Sequence, residues 1–146
     1  MTDYVRVAVA GQGLGIPVAL IRDVLADQAL TPVPLAPPAI AGLLNMRGRV
    51  VTAIDLRGRL GMAPRTPGAN RYFVVVDQDG ELYGLIVDTV GEVLSIPQDQ
   101  LGQVPVTLDP DWRDLADAVY PAPDGLVVLI DLASLLAVGS RRRVAS

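Results

Sequence analysis

The chain contains no cysteine and no histidine in 146 residues. The first absence removes disulfides, thiolate metal ligands and cysteine nucleophiles, and the second removes imidazole ligands and the commonest general base. Lysine is missing too, so all 12 basic residues are arginine, outnumbered by 16 carboxylates for a net charge of −4. A pI near 4.6 argues against a nucleic-acid partner, whose phosphates are met by basic surface. Any enzyme chemistry would rest on carboxylates alone. The densest acidic run, 109–117 (DPDWRDLAD), reads as a solvated loop anchored by Trp112, and nothing in the sequence fixes a pair of carboxylates across a cleft. Long apolar runs are also lacking. The uncharged stretch 28–46 is interrupted by Pro32, Pro34, Pro37 and Pro38, and 7–21 by three glycines and Pro17, so neither is expected to span a bilayer as a helix. The start MTDYVRV has no basic region leading into an apolar one, so no secretory signal is expected and the cytoplasm is the expected location.

What is present is said twice. Residues 50–60 (VVTAIDLRGRL) lie without gaps over 126–136 (LVVLIDLASLL), an offset of 76, and residues 15–25 (GIPVALIRDVL) lie over 84–94 (GLIVDTVGEVL), an offset of 69. Self-similarity of this kind implies two subdomains of similar plan. The repeated segments carry apolar packing positions and turn residues but no nucleophile, base or metal-ligand set. This favours a scaffold with two docking ends over a catalyst. A chain of this length buries roughly 70% of its unfolded surface and needs no covalent staple. Residues 1–140 are expected to form one domain of two similar subdomains, and 141–146, with three consecutive arginines, a disordered tail.

Strands are expected over 5–10 and 14–18, joined through Gly11-Gln12-Gly13, then over 22–25 after a one-turn break. The GQGLG string does not make a dinucleotide loop, because Ile16 stands where the third glycine belongs and no long helix follows. Residues 31–38 read as a proline-rich extended connection. Residues 39–44 read as a short helix opened by Pro37 and Pro38. Residues 49–54, apolar on both alternating sets, read as a strand buried on both faces. Asp55 and Asp131 read as N-caps of short helices over 56–60 and 132–138, closed by Gly61 and Gly139. The flanks of Asp79-Gly80, 72–76 and 82–87, form the strongest hairpin signal, and 93–96, 116–120 and 126–130 complete the strands. Many short strands at such spacing predict a mainly β protein of two small barrels.

The run 34–61 (PLAPPAIAGLLNMRGRVVTAIDLRGRLG) closely resembles the signature of the CheW-like family of bacterial chemotaxis. The resemblance rests on Pro34, Pro37, Gly42, Asn45, Arg47, Gly48, Asp55, Leu56, Arg57, Leu60 and Gly61. It extends upstream to Ile21, Asp23 and Val24 and downstream to Gly84, Val87, Asp88, Val90 and Val93. Three features depart from the pattern: Thr52 replaces a usual proline, Asp23 a usual glutamate, and 114–125 lacks the family's Gly-Val turn. The resemblance implies the CheW-like fold, two intertwined five-stranded SH3-like β-barrels with a few short helices. It further implies a stand-alone adaptor, a monomer by itself, joining the cytoplasmic tip of methyl-accepting chemotaxis receptors to a CheA-type histidine kinase in a receptor array. No catalysis, cofactor, metal, nucleic acid or membrane insertion is implied. A CheW-like adaptor of type IV pilus motility or development would share the same docking surface.

Arg47 is the foremost candidate contact. Its planar guanidinium can bind a carboxylate or helix-end carbonyls in pairs, and the matching arginine of the family is associated with partner binding. The competing role is an internal ion pair with Asp55 or Glu92. Asn45 and Gly48 are expected to shape the turn that presents it. Ile21, Val24 and Val87 are candidate lining residues of an inter-barrel groove that accepts receptor helices, and Asp23 a partner for a receptor cation.

Overall fold

The structure is a computed structural model, described here over residues 1–137. Tight turns organise its strands. Val9 pairs with Gln12 around Ala10-Gly11, Met46 with Arg49 around Arg47-Gly48, and Gln78 with Glu81 around Asp79-Gly80. Both turn residues have positive φ in each case, the two-residue geometry whose twist matches that of the flanking strands. The first turn is therefore tighter than the Gly11-Gln12-Gly13 connection expected, and Gln12 and Gly13 belong to the second strand. The strands are β1 Thr2–Val9, β2 Gln12–Pro17, β3 Ile21–Leu25, β4 Ile40–Met46, β5 Arg49–Asp55, β6 Tyr72–Gln78, β7 Glu81–Val87, β8 Thr89–Ile96, β9 Ala116–Ala122 and β10 Gly125–Ile130. Among the described residues three short α-helices accompany them, α1 Leu56–Arg59, α2 Pro110–Leu115 and α3 Leu132–Leu135, together with single 3-10 turns at Val18–Leu20 and Gln98–Gln100.

Two five-stranded sheets result, ordered β8-β1-β2-β10-β9 and β3-β6-β7-β5-β4. The sequence repeat is reproduced in the pairing, residue by residue. Leu129 lies opposite Gly15 as Ala53 lies opposite Gly84, Val93 opposite Val5 as Val24 opposite Val74, and Val119 opposite Val128 as Leu43 opposite Thr52. The units β1–β5 and β6–β10 are thus equivalent, yet neither keeps its own strands together. Each gives its first hairpin to one sheet and its last three strands to the other, so the expected intertwining is a reciprocal exchange. The outermost strands of a sheet share no ladder. Closure comes from single bridges where the chain returns, Thr31 to Leu43 by two bonds of 2.8 Å and Gly102 to Val119 by bonds of 2.7 and 3.1 Å.

The exchange places apolar residues on both faces of the central strands. In β6, Phe73 and Val75 enter a core private to their sheet with Val51, Ala53 and Ile86. Val74 and Val76 enter a core shared with Val7, Val9, Leu14 and Ile16 of the other sheet. No polar or charged residue is buried among the described residues. Gly15 is required by a close approach: a Cβ there would lie 2.6 Å from Leu129 Cδ2, and Leu129 is itself buried.

The structure corrects several sequence expectations. Residues 39–44 form no helix, because 40–46 are the strand β4, whose Ile40 faces Ile54 and whose Gly42 sits at a register shift with φ 151°. Tertiary pairing overrides the local proline signal there. The acidic run holds the helix α2 rather than a loop, with the Asp109 side chain accepting from the Asp111 amide, Pro110 in its first turn, and Trp112 and Leu115 buried. Asp55 caps α1 by accepting from the Arg57 amide at 3.1 Å. Asp131 makes no such bond and instead accepts from Ser134 Oγ at 2.7 Å. One face of β5 is buried through Val51 and Ala53 and the other at Ile54, but Val50 at the start of that second face is exposed. The 114–125 departure leaves the β9–β10 hairpin equivalent to β4–β5, register shift included, since Ala116 faces Ile130 as Ile40 faces Ile54. The expected Gly139 stop and the 141–146 tail lie outside the described residues.

Gly15→Ala is expected to destabilise the protein by about 1–3 kcal/mol through overpacking against Leu129. Gly13→Ala on the same strand, whose Cβ would meet its nearest atom at an ordinary 3.5 Å, should change stability by less than about 0.5 kcal/mol. Urea denaturation of both variants checks the contrast.

Candidate functional site

The β4–β5 turn and the edge strand β3 converge at one corner of the second sheet. Arg47 occupies the turn with φ 54°, followed by Gly48 with φ 85° and open space where a Cβ would stand. Asn45 Oδ1 accepts from the Gly48 amide at 2.9 Å and fixes the turn, as Asp77 does for Gly80 in the β6–β7 hairpin. The Arg47 side chain is 80% exposed, and its NH2 lies 3.3 Å from Asp23 Oδ2. Asp23 also accepts from the Val24 amide at 2.8 Å. Arg47 therefore pairs with neither Asp55 nor Glu92. An exposed pair of this length contributes under about 1 kcal/mol, so most of the guanidinium's bonding capacity remains directed to solvent. Val24, 41% exposed, flanks the pair on β3, while Ile21 is half-buried against the shared core.

Val87 does not belong to this surface. It is 0% exposed, because β7 runs between β6 and β5 with both faces covered. A partner cannot touch it without opening the core.

The equivalent corner of the first sheet is built differently. At the positions of Asp23 and Gly48 stand Glu92 and Asp124, and both approach Arg6 of β1, at 3.9 and 2.9 Å. One corner thus offers an outward cation, and the other two exposed carboxylates around an inward one. The two ends are shaped alike and charged differently.

A second cluster ties the sheets together where β7 passes into β8. Asp88 Oδ2 accepts from Arg57 NH2 at 2.7 Å and from the Ala10 amide at 2.7 Å. Its Oδ1 accepts from Arg65 Nε at 2.9 Å and NH2 at 2.6 Å. The Asp88 amide donates to Ala8 O at 2.9 Å. One carboxylate thereby joins the β1–β2 turn, α1 and the 61–71 connection. Burial works to raise the Asp88 pKa, but bonds from Arg57, the Ala10 amide and Arg65, together with the Arg65 charge, outweigh it and bring it from 3.8 down to about 2. Sequence reasoning matched Asp88 and Arg57 to a family pattern without seeing that they meet, and no pattern marked Arg65. Nearby, Arg59 donates to the α3 carbonyls of Leu135 and Ser134 at 3.1 and 3.2 Å. No group of three or more potential metal ligands occurs among the described residues, and no described helix is long and apolar enough to cross a membrane.

Ten strands in two sheets that exchange hairpins, with two corners shaped alike and charged differently, define the fold. The family model for the CheW-like domain matches residues 3–139, and the chain belongs to that family. It is 25% identical over 133 residues to the probable chemotaxis protein CheW of Rhizobium etli and to the chemotaxis protein CheW of Rhizobium meliloti, covering 91% of this chain and 86% of each relative. It is 25% identical over 134 residues to the chemotaxis protein CheW of Helicobacter pylori, covering 92% of this chain and 81% of the relative. The crystal structure of the scaffolding protein TtCheW from Thermoanaerobacter tengcongensis is similar, with a TM-score of 0.82, 27% identity and coverage of 92% of this chain and 91% of that one.

Asp88→Asn should lower stability at neutral pH by about 2–3 kcal/mol, since charge-assisted bonds and two arginines lose their acceptor. Because the folded pKa lies below the unfolded one, the native carboxylate's contribution is complete above about pH 4 and is lost as pH falls toward 2. Denaturant melts of the native protein should weaken across that window. The variant should be less stable at pH 7 and flatter below pH 4.

Proposed function

We propose that this chain is a chemotaxis coupling protein. It joins the cytoplasmic tip of methyl-accepting chemoreceptors to a CheA-type histidine kinase and catalyses nothing itself. The observation that carries the reading is membership of the CheW-like family across residues 3–139, and the two differently charged corners fit two different partners. The chemotaxis names of the curated relatives favour this pathway over pilus motility or development. The protein works at the cytoplasmic face, without cofactor, as a monomer that enters an array through its partners. Individual contacts are micromolar, and repeated engagement supplies the avidity.

Arg47 is the central contact, held by Asn45 and Gly48, with Asp23 as its local partner and Ile21 and Val24 as the apolar border. Two charged groups 3.3 Å apart on the surface could serve each other alone, and charge reversal separates the roles. Arg47→Ala is expected to leave stability within about 1 kcal/mol of native and to weaken partner binding by about tenfold or more. The double reversal Asp23→Arg with Arg47→Asp restores the internal pair but not the outward cation, so binding should stay weak. Titration calorimetry with a receptor cytoplasmic fragment and with the kinase measures both, and full rescue by the double reversal would show the pair to be structural. The coupling role is measured by kinase autophosphorylation in receptor membranes, expected to rise only when this protein is present. Identical output with and without it overturns the reading.

A further inference from the structure

Besides the Asp88 cluster, the hydrogen bonds between the two sheets and their attached helices come, among the described residues, from one side chain. Arg59 of α1 donates from Nε to Leu135 O at 3.1 Å and from NH2 to Ser134 O at 3.2 Å. Elsewhere the sheets meet through the shared apolar core, and apolar packing fixes no direction.

Arg59 also occupies a singular place in the doubled plan. At the offset of 76 that carries Ile54 onto Ile130, Arg59 falls on Leu135. It therefore bonds its own equivalent, and where two units exchange reciprocally only residues at the axis of that exchange can do so. The main chain repeats across this axis: the Asp55 amide donates to Ala39 O and the Asp131 amide to Leu115 O, both at 2.8 Å. The side chains do not. Ala133 and Leu135 stand in α3 where α1 has Arg57 and Arg59. A second arginine facing Arg59 would repel it. With leucine there, the planar fork turns onto two successive carbonyls at the end of α3, a geometry that a single ammonium matches poorly.

The two helices prolong the strands that begin at the two corners. β5 follows the Arg47 turn and ends in α1, and β10 follows the turn holding Asp124 and ends in α3. Each is an interior strand with a ladder on both sides, so a displacement at a corner is carried along it. Arg59 joins the far ends of the two strands whose near ends form the corners.

We propose that Arg59 is a positioning residue that couples the two docking corners, so that occupation of one changes the affinity of the other. It lies at the opposite end of β5 from Arg47 and acts through α3. With both bonds made, the end of β10 is held to the end of β5. With them broken, α3 can shift against α1 over the apolar core. A partner that prefers one of these two arrangements alters binding at the other corner, and by the same factor in either direction.

This inference rests on the coupling reading for its two partners. The full chain is titrated with a receptor cytoplasmic fragment, alone and with saturating CheA-type kinase, and then with the order reversed, for the native protein, Arg59→Leu and Arg59→Lys. In the native chain each affinity should change by about fivefold or more when the other partner is present, equally in both orders. Arg59→Leu, which puts at the axis the residue its equivalent already carries, should keep each single affinity within about twofold and bring that ratio close to one. Arg59→Lys, able to reach one carbonyl, should give an intermediate ratio. Direct contact between the two partners would change the ratio in native and variant alike, so equal ratios for native and Arg59→Leu overturn the inference. A native ratio of one does so too, and leaves the coupling reading intact. Loss of either single affinity in Arg59→Leu makes Arg59 a structural or contact residue and overturns the positioning role. A ratio for Arg59→Lys no different from that of Arg59→Leu overturns the assignment to the α3 carbonyls. If the native chain does not bind both partners, the coupling reading fails first and this inference with it.

Discussion

The ladders between β1 and β8 and between β3 and β6 carry the rest of the architecture, because each joins strands from opposite halves of the chain. Once these pairs form, neither half can turn or leave independently. The central strands then have a private core on one face and a shared core on the other. That arrangement explains a composition with 51% hydrophobic residues in a chain with no apolar span. It also explains why no charged group is buried among the described residues: the ion pairs lie at rims and crossings.

Within this twofold plan, the departures from symmetry are where function is expected to lie. Asp88 has Ala19 at its equivalent position in the other unit, so the carboxylate that gathers two arginines and a backbone amide exists on one side only. The corners differ likewise, one presenting Arg47 and the other Glu92 and Asp124. Under the proposed coupling role, similar backbone frames with different charge would distinguish partners through electrostatic complementarity rather than shape. A single hub at one crossing fixes how those two frames sit relative to each other.

The doubled plan was legible because its positions are apolar and regularly spaced, and the offsets 69 and 76 are the pairing equivalences observed. The change in offset also held information that was not used. It grows from 71 at Gly102 to 76 at Val119, and the extra residues accompany α2. Asp109 followed by Pro110 was a readable helix start, but six residues with only two buried side chains give almost no periodicity. Residues 40–46 misled in the opposite direction, since Pro37-Pro38 suggest a helix start while the decisive partner, β5, is found only by superposing 40–54 on 116–130. At the candidate site, the turn residues Asn45, Arg47 and Gly48 were found from their types. Val87 was misplaced, because an apolar strand end looks the same whether it faces a groove or a core. Arg65 was invisible, for nothing in a Pro-Gly connection indicates which carboxylate each of its two arginines will reach.

The exchange also orders events on the ribosome. The second sheet is contiguous in sequence, β3 through β7, and its strands are complete once residue 87 has emerged. The first is split around it, so the β1–β2 hairpin is made earliest and yet must wait for β8 and β10, which end at residues 96 and 130. For most of synthesis that hairpin exposes two unpaired edges of the kind that invite association with other chains. The nascent chain is therefore most vulnerable at its oldest segment.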